Sequence, residues 1–321
     1  MSTWVYILKR ILSSIPILFI VSLLSFFLIR LSPVDPLAQL KLNPAISQET
    51  IDSEVKRLGL DKPIALQYFL WAKNFVKGDM GYCMDNTKVS TKIKGRILNT
   101  LILSIFVIFF SWLIAIPLGV LAAVNYNSWF DKMLVVLSSV GMAIPSFFFA
   151  ILMLLFAQKT GWFPLGGLTS VNFSDLTFFA KIKDILWHLI LPTLVLTTIS
   201  LSSLMRQMRA NLLDVLNSEY VKFAYAKGLS KTKVIVKHAF RNAINPIITL
   251  LGFEFAGLLS GAALTEYVFQ YPGLGKLILE AVMSSDINLV MASLMIGAFM
   301  LILGNLLADI LLKLTDPRVR V

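Results

Sequence analysis

The chain predicts an all-α protein: a polytopic membrane bundle of six transmembrane helices, with an external helical segment between helices 1 and 2. Three observations carry this. Apolar residues make up 57% of the 321 residues and charged residues 15%, with a mean hydropathy of +0.79, a balance that belongs to membrane proteins rather than soluble cores. Six apolar runs approach the ~20 residues needed to cross the hydrocarbon as a helix. Basic residues gather in the short connections of one side, as membrane orientation requires.

The runs are Ile11–Ile29, Leu101–Val124, Met133–Ala157, Leu186–Met205, Pro246–Val268 and Leu289–Leu312. The first is too long for the core of a secretory signal and no small-x-small cleavage site follows it, so it reads as a retained helix. Pro16, Pro117, Pro145 and Pro192 predict kinks in the first four. One side carries Lys9, Arg10, Lys132, eight basic residues between Arg206 and Asn245, and Lys313, Arg318 and Arg320. The other carries Lys159, Lys181, Lys183 and Lys276 in its short loops. Both termini and the 206–245 loop are therefore expected in the cytoplasm, with residues 32–100 outside. The chain divides on this basis into 1–31, 32–100 and 101–321.

Residues 32–100 read as folded. Ser47 is placed to cap a helix carrying Ile51, Val55 and Leu58 on one face, with Gly59 to end it. A second helix is expected from Pro63 through Tyr68 and Trp71 to Gly78.

The 206–245 loop is the most informative stretch. Its basic residues are Arg206, Arg209, Lys222, Lys227, Lys231, Lys233, Lys237 and Arg241, against Asp214 and Glu219. Leu212–Lys227 reads as a helix ending at Gly228 in the left-handed conformation. Ser230 is placed to cap a second helix over Lys231–Arg241, and Asn245 followed by Pro246 to start the fifth span. Ala224 and Ala226 leave room for an approaching surface, and the flanking lysines supply charge. A helix–turn–helix of this kind reads as a docking device for a soluble partner, beyond the basic character that inside loops share.

Several classes are excluded or disfavoured. A net charge of +11 arises from loops between spans, not from a basic face with stacking aromatics, which speaks against nucleic acid. Cys83 is the only cysteine, so no internal disulfide forms, and no Cys/His cluster has metal-ligand spacing. No GxxxxGK[ST], HExxH or GxSxG occurs. His188 and His238 read as hydrogen-bonding residues. Within the fifth span Glu254 lies ~12 Å from Pro246 along the helix, a costly depth for a carboxylate outside a cavity or partner contact. Glu266 lies nearer the outer end, and Asp309 has Lys313 one turn on. Gly257 and Gly261 stand at small-xxx-small spacing.

The segment AYAKGLS, followed by HAFRNAINP, resembles the cytoplasmic "EAA" loop of ABC importer permeases, nearest the peptide/nickel branch. Leu58-Gly59-Leu60-Asp61-Lys62-Pro63 with Gln67-Tyr68, Gly78-Asp79-Met80-Gly81, Gly161-Trp162-Phe163-Pro164, Glu266 with Phe269 and Pro272-Gly273-Leu274-Gly275, and Asp316-Pro317-Arg318 are similar to the first-type ("B") subunit of that branch. Phe223, Lys222 and Cys83 depart from it, standing where a small residue, an acid and a serine are usual. The resemblance implies a type I importer architecture and a bacterial or archaeal cytoplasmic membrane. It implies no cofactor in this chain, with ATP and Mg held by two partner ATPase subunits. A second homologous permease and an external binding protein would complete the assembly. Ala224, Ala226, Lys227, Gly228, Leu229 and Ser230 would form the docking turn, and Asn245–Pro246 its link to the fifth span. Glu254 and Glu266 are pathway candidates. The cargo implied is short peptides, or nickel, metal chelates or glutathione-like solutes. The competing class, a self-sufficient ion-driven transporter, would show inverted repeats and buried coupling charges.

Overall fold

The computed structural model describes residues 3–31, 37, 41, 46–57 and 59–315. Leu58 and the Asp316-Pro317-Arg318 motif lie outside the described residues. Those described are mainly helical, without a sheet; Tyr82 and Lys88 form an isolated antiparallel bridge.

Among the described residues, four helices are long and apolar enough to cross a membrane: α1 (Thr3–Leu31), α5 (Arg96–Val124), α8 (Phe178–Leu216) and α15 (Ile287–Thr315). α6 (Trp129–Ala143) and α7 (Ser146–Thr160) make a fifth only as a pair bent by 95°. The kink expected at Pro145 in the third span is thus a full break between two helices. Pro145 lacks an N–H and holds its predecessor extended, so Ile144 leaves the helix at ψ 121 and Pro145 precedes α7. The other three prolines stay inside α1, α5 and α8 without ending them. The fifth expected span divides into α12 (Asn245–Gly261) and α13 (Ala263–Val268). At 17 residues, α12 is ~26 Å long, short of the ~30 Å hydrocarbon.

α8 outruns its expected span by a wide margin, at 39 residues. Met205, Met208 and Leu212 continue a buried stripe at helical spacing past the first arginine. α5 and α8 pack most closely: a Cβ on Gly119 would lie 2.7 Å from the Met205 carbonyl oxygen, so only glycine admits this approach.

The segment before α5 holds α2 (Gln48–Arg57), α3 (Ile64–Val76) and α4 (Val89–Ile93). Ser47 Oγ accepts from Thr50 N at 3.3 Å, capping α2 as expected. Gly59 and Gly78 follow α2 and α3 with φ +66 and +84. Pro63 precedes α3 at its N-cap rather than opening it. Tyr68 Oη and Ser22 Oγ, 2.8 Å apart, hold α3 to α1. Cys83, Val89 and Ile93 bury against α14 (Leu274–Met283) and α15, and Met84 N donates to Asp286 Oδ2 at 2.9 Å. Burial, reinforced by Asp286, pushes the Cys83 thiol up to about 11, which keeps it a protonated, packed side chain.

Candidate functional site

The hairpin between α8 and α12 is built from α9 (Glu219–Ala226), a turn at Lys227–Ser230, and a second helical arm. α8 ends at Leu216 and α9 restarts at Glu219, so the expected single Leu212–Lys227 helix is interrupted at Asn217–Ser218. The turn has the expected conformation: Gly228 adopts φ +77, its N–H donates to Tyr225 O at 2.9 Å, and Leu229 N donates to Ala224 O at 3.4 Å. These bonds satisfy the last carbonyls of α9.

The second arm departs from expectation. Ser230 occupies the N-cap without a side-chain hydrogen bond. The arm comprises α10 (Lys231–Lys233), a π-helical turn Val234–Ala239, and α11 (Phe240–Ala243). The wider turn seats Val234, Ile235 and Ala239 in the core while Val236 stays outside. Asn245 is the first residue of α12 and not a side-chain cap; the N-cap is Ile244, in the helical region, with Pro246 in the first turn. Ile244 N donates to Phe240 O and Ile248 N to Ile244 O, both at 3.0 Å, so helical hydrogen bonding continues from arm to span.

The hairpin shares a core with the spans. Val221, Ala224, Val234 and Ala239 bury together with Ala122 and Ala123 of α5, Met205, Met208 and Leu212 of α8, and Ile247 of α12. Asn242 Nδ2 donates to Tyr220 Oη at 2.7 Å, joining the two arms. Ala224 is buried, so its small size serves internal packing; of the two alanines, Ala226 faces outward. Leu229 packs against the same core. Lys227 and Ser230 are exposed, and Lys227 Nζ lies 4.7 Å from the Phe223 ring centroid. Phe223 is 61% exposed and Val236 64%.

Sequence reasoning missed the anchor of this region. Asp131, at the start of α6, takes a two-pronged bond from Arg209 of α8, Nε–Oδ1 2.6 Å and Nη2–Oδ2 2.7 Å. Asn127 N also donates to Asp131 Oδ2 at 2.9 Å, and the Arg209 guanidinium lies 5.4 Å from the Tyr126 ring centroid. Arg209 is thus committed within the chain instead of free for a partner.

The two acids of the fifth span fare differently. Glu254 Oε2 accepts from the Trp112 indole Nε1 of α5 at 2.8 Å; its partner is neutral rather than a basic residue. Glu266 is fully buried. It accepts from Thr100 Oγ1 at 3.0 Å and from Lys276 N at 2.8 Å, capping α14 and closing the Pro272-Gly273-Leu274-Gly275 turn. That places it inside packed protein rather than on a water-filled path. Asp309 pairs with Arg10 of α1 at 2.6 Å; the Lys313 side chain lies outside the described ones. His188 Nδ1 is 2.8 Å from Asp184 O, whereas His238 makes no hydrogen bond among the described residues. A Cβ on Gly257 would meet nothing within 4 Å among the described residues.

A family model described as "Binding-protein-dependent transport system inner membrane component" matches residues 115–321. A model of the N-terminal part of such membrane components matches residues 3–91. The chain belongs to the peptide-type ABC importer permeases. It is 39% identical over 317 residues, 98% of both chains, to the oligopeptide transport system permease protein AppB of Bacillus subtilis. Identity is 34% to the dipeptide transport system permease protein DppB of Alkalihalophilus pseudofirmus, covering 98% of this chain and 99% of that one. It is also 34% to the glutathione transport system permease protein GsiC of Escherichia coli, over 98% of each. A permease of this family is a multi-pass membrane transport subunit, not an enzyme in itself, and works within a binding-protein-dependent system.

Proposed function

We propose that this permease forms half of a translocation pathway for short peptides and is driven by cytoplasmic ATPases through the α9–α11 hairpin. Its sharing of a core with α5, α8 and α12 carries the reading. A stiff body joining the exposed turn to three spans transmits a displacement, where a flexible loop would absorb it. The exposed Phe223, Ala226 and Lys227 supply the contact. The relatives' named cargoes, oligopeptide, dipeptide and glutathione, support peptides as the substrate class. A second permease, two ATPases and an external binding protein complete the assembly. The termini and hairpin lie in the cytoplasm of a bacterium or archaeon, residues 32–100 lie outside, and 101–321 form the core with five passes, α1 making six in all. The sixth pass comes from counting α12 and α13 together.

Gly228 provides the test. A Cβ there meets nothing within 4 Å, yet φ is +77, so a substitution acts through backbone strain alone, ~1–2 kcal/mol. Gly228→Val is expected to abolish most ATP-dependent uptake in proteoliposomes of the full complex, and Gly228→Asn, which tolerates this conformation, to retain it. Equal uptake by both variants would sink the coupling reading. ATP-independent uptake by this chain alone would sink the permease assignment and favour the ion-driven class.

Glu254 is the charge we place on the pathway, near α5. Glu254→Gln keeps an oxygen for the Trp112 indole and removes the charge. Uptake of cationic peptides is expected to fall roughly fivefold relative to neutral ones, from ~1 kcal/mol of lost attraction. An equal loss for every peptide would show that the side chain only supports the fold.

A further inference from the structure

A cavity of about 320 Å³ lies where the end of α1 meets α2 and α3, lined among others by Arg30, Lys56, Lys62, Gln67, Trp71 and Asp79. One water needs only ~10–15 Å³, so the space takes a polar group of several heavy atoms. Three polar atoms of its lining residues are shielded from solvent and lack a hydrogen-bond partner: Arg30 Nε, Trp71 Nε1 and Gln67 Oε1. Native proteins seldom bury such atoms unpaired. Arg30 has no carboxylate partner among the described residues; its guanidinium carbon stands 5.6 Å from the Phe26 ring centroid. Gln67 is held in place because Nε2 donates to Lys62 O at 2.6 Å, and Trp71 because it stacks on Phe75 at 5.2 Å. Arg57 also lines the cavity but is paired with Glu54 at 2.7 Å. Arg30, Lys56 and Lys62 then outweigh Asp79, whose Oδ1 already accepts from Gly81 N at 3.0 Å.

Two unpaired donors, one unpaired acceptor and a surplus of positive charge describe a ligand with an anionic oxygen cluster beside a hydroxyl. The location selects among such ligands. Arg30 directly follows the apolar run that ends at Ile29, which places it at headgroup depth. Trp71 and Tyr68 are the residue types that favour that layer. Phe69 and Val76 of α3 are exposed apolar side chains on the same helix, ready to meet acyl chains.

We propose that this cavity binds the phosphoglycerol headgroup of an anionic phospholipid. Arg30 and Trp71 donate to the phosphate, Gln67 Oε1 accepts from a glycerol hydroxyl, and Lys62 and Lys56 add long-range attraction. The site is separate from the hairpin and does not depend on it.

Native mass spectrometry of the full chain in neutral detergent tests this, with phosphatidylglycerol, phosphatidylcholine of the same acyl chains, and inorganic phosphate as probes. One phosphatidylglycerol is expected to be retained at least roughly tenfold more tightly than phosphatidylcholine. Lys62→Gln, on an exposed side chain, should weaken it roughly fivefold with the melting temperature in plain detergent unchanged, and Arg30→Gln should weaken it further. Equal retention of the two lipids overturns the proposal, as does a phosphatidylglycerol preference indifferent to both substitutions. Displacement of the lipid by millimolar inorganic phosphate would assign the site to the free ion and equally overturn it.

Discussion

Arg209→Ala is expected to cost ~3 kcal/mol of stability and to disable transport at temperatures where the protein still inserts. The substitution strands Asp131, whose side chain is 2% exposed and loses both prongs of its bond to Arg209. A buried carboxylate left without its partner is penalised far more than an intact pair is rewarded. The Arg209 side chain is 22% exposed, so water reaches one edge and the cost sits at the lower end for buried pairs. Arg209→Lys is expected to recover little, because an ammonium does not reproduce the parallel two-nitrogen geometry. Melting of the detergent-purified chain, followed for Arg209→Ala, for Asp131→Asn and for the two combined, gives a double-mutant cycle. A double variant more stable than Arg209→Ala identifies the stranded charge as the cause; strict additivity would show that the two residues do not act on each other. The pair ties the start of α6 to α8 just before the hairpin, so uptake should fall with the same ranking.

What could be foreseen here was local. The turn at Gly228, the cap at Ser47 and the terminators Gly59 and Gly78 follow from neighbouring residues whose chemistry admits few conformations. α8 was legible in principle: Met205, Met208 and Leu212 keep helical spacing, but a span measured against membrane thickness stops at the first arginine. The break at Pro145 was visible as a proline, yet Pro16, Pro117 and Pro192 look alike in sequence and leave their helices uninterrupted. Only packing separates them. Contacts across long separations left no mark at all. Asp131 and Arg209 are 78 positions apart, and Trp112 stands 142 from Glu254. Arg209 looked like one more basic residue of an inside loop, and Glu254 looked like a charge in need of a cavity or a partner contact. Counting charges shows where they concentrate, not which are already paired.

The second large effect concerns Gly273, where the backbone imposes nothing. Its φ of −98 and ψ of 176 suit any residue, but a Cβ there would run into the Glu266 carboxylate. That carboxylate has little room to yield. It is fully buried, bonded to Thr100 Oγ1 and Lys276 N, and Thr100 Oγ1 in turn accepts from Leu274 N at 2.7 Å. The turn is further tied to α5, because Tyr271 Oη donates to Asn99 O at 2.7 Å and Asn99 Nδ2 donates to Pro272 O at 2.8 Å. Gly273→Ala must therefore push the carboxylate from its donors or open the turn, an overpacking cost of ~2–3 kcal/mol. Glu266→Ala removes the obstacle but uncaps α14 and leaves the Lys276 N–H unpaired, at a similar cost. In combination the clash disappears, so the double variant is expected to melt close to Glu266→Ala alone and well above the sum of the two losses. If Gly273→Ala proves neutral, or the two losses simply add, the glycine is not there to make room for Glu266. The conserved shape of the result, one large cost that the second substitution cannot repeat, would place Glu266 as the keystone of the α13–α14 corner rather than as a group that meets cargo.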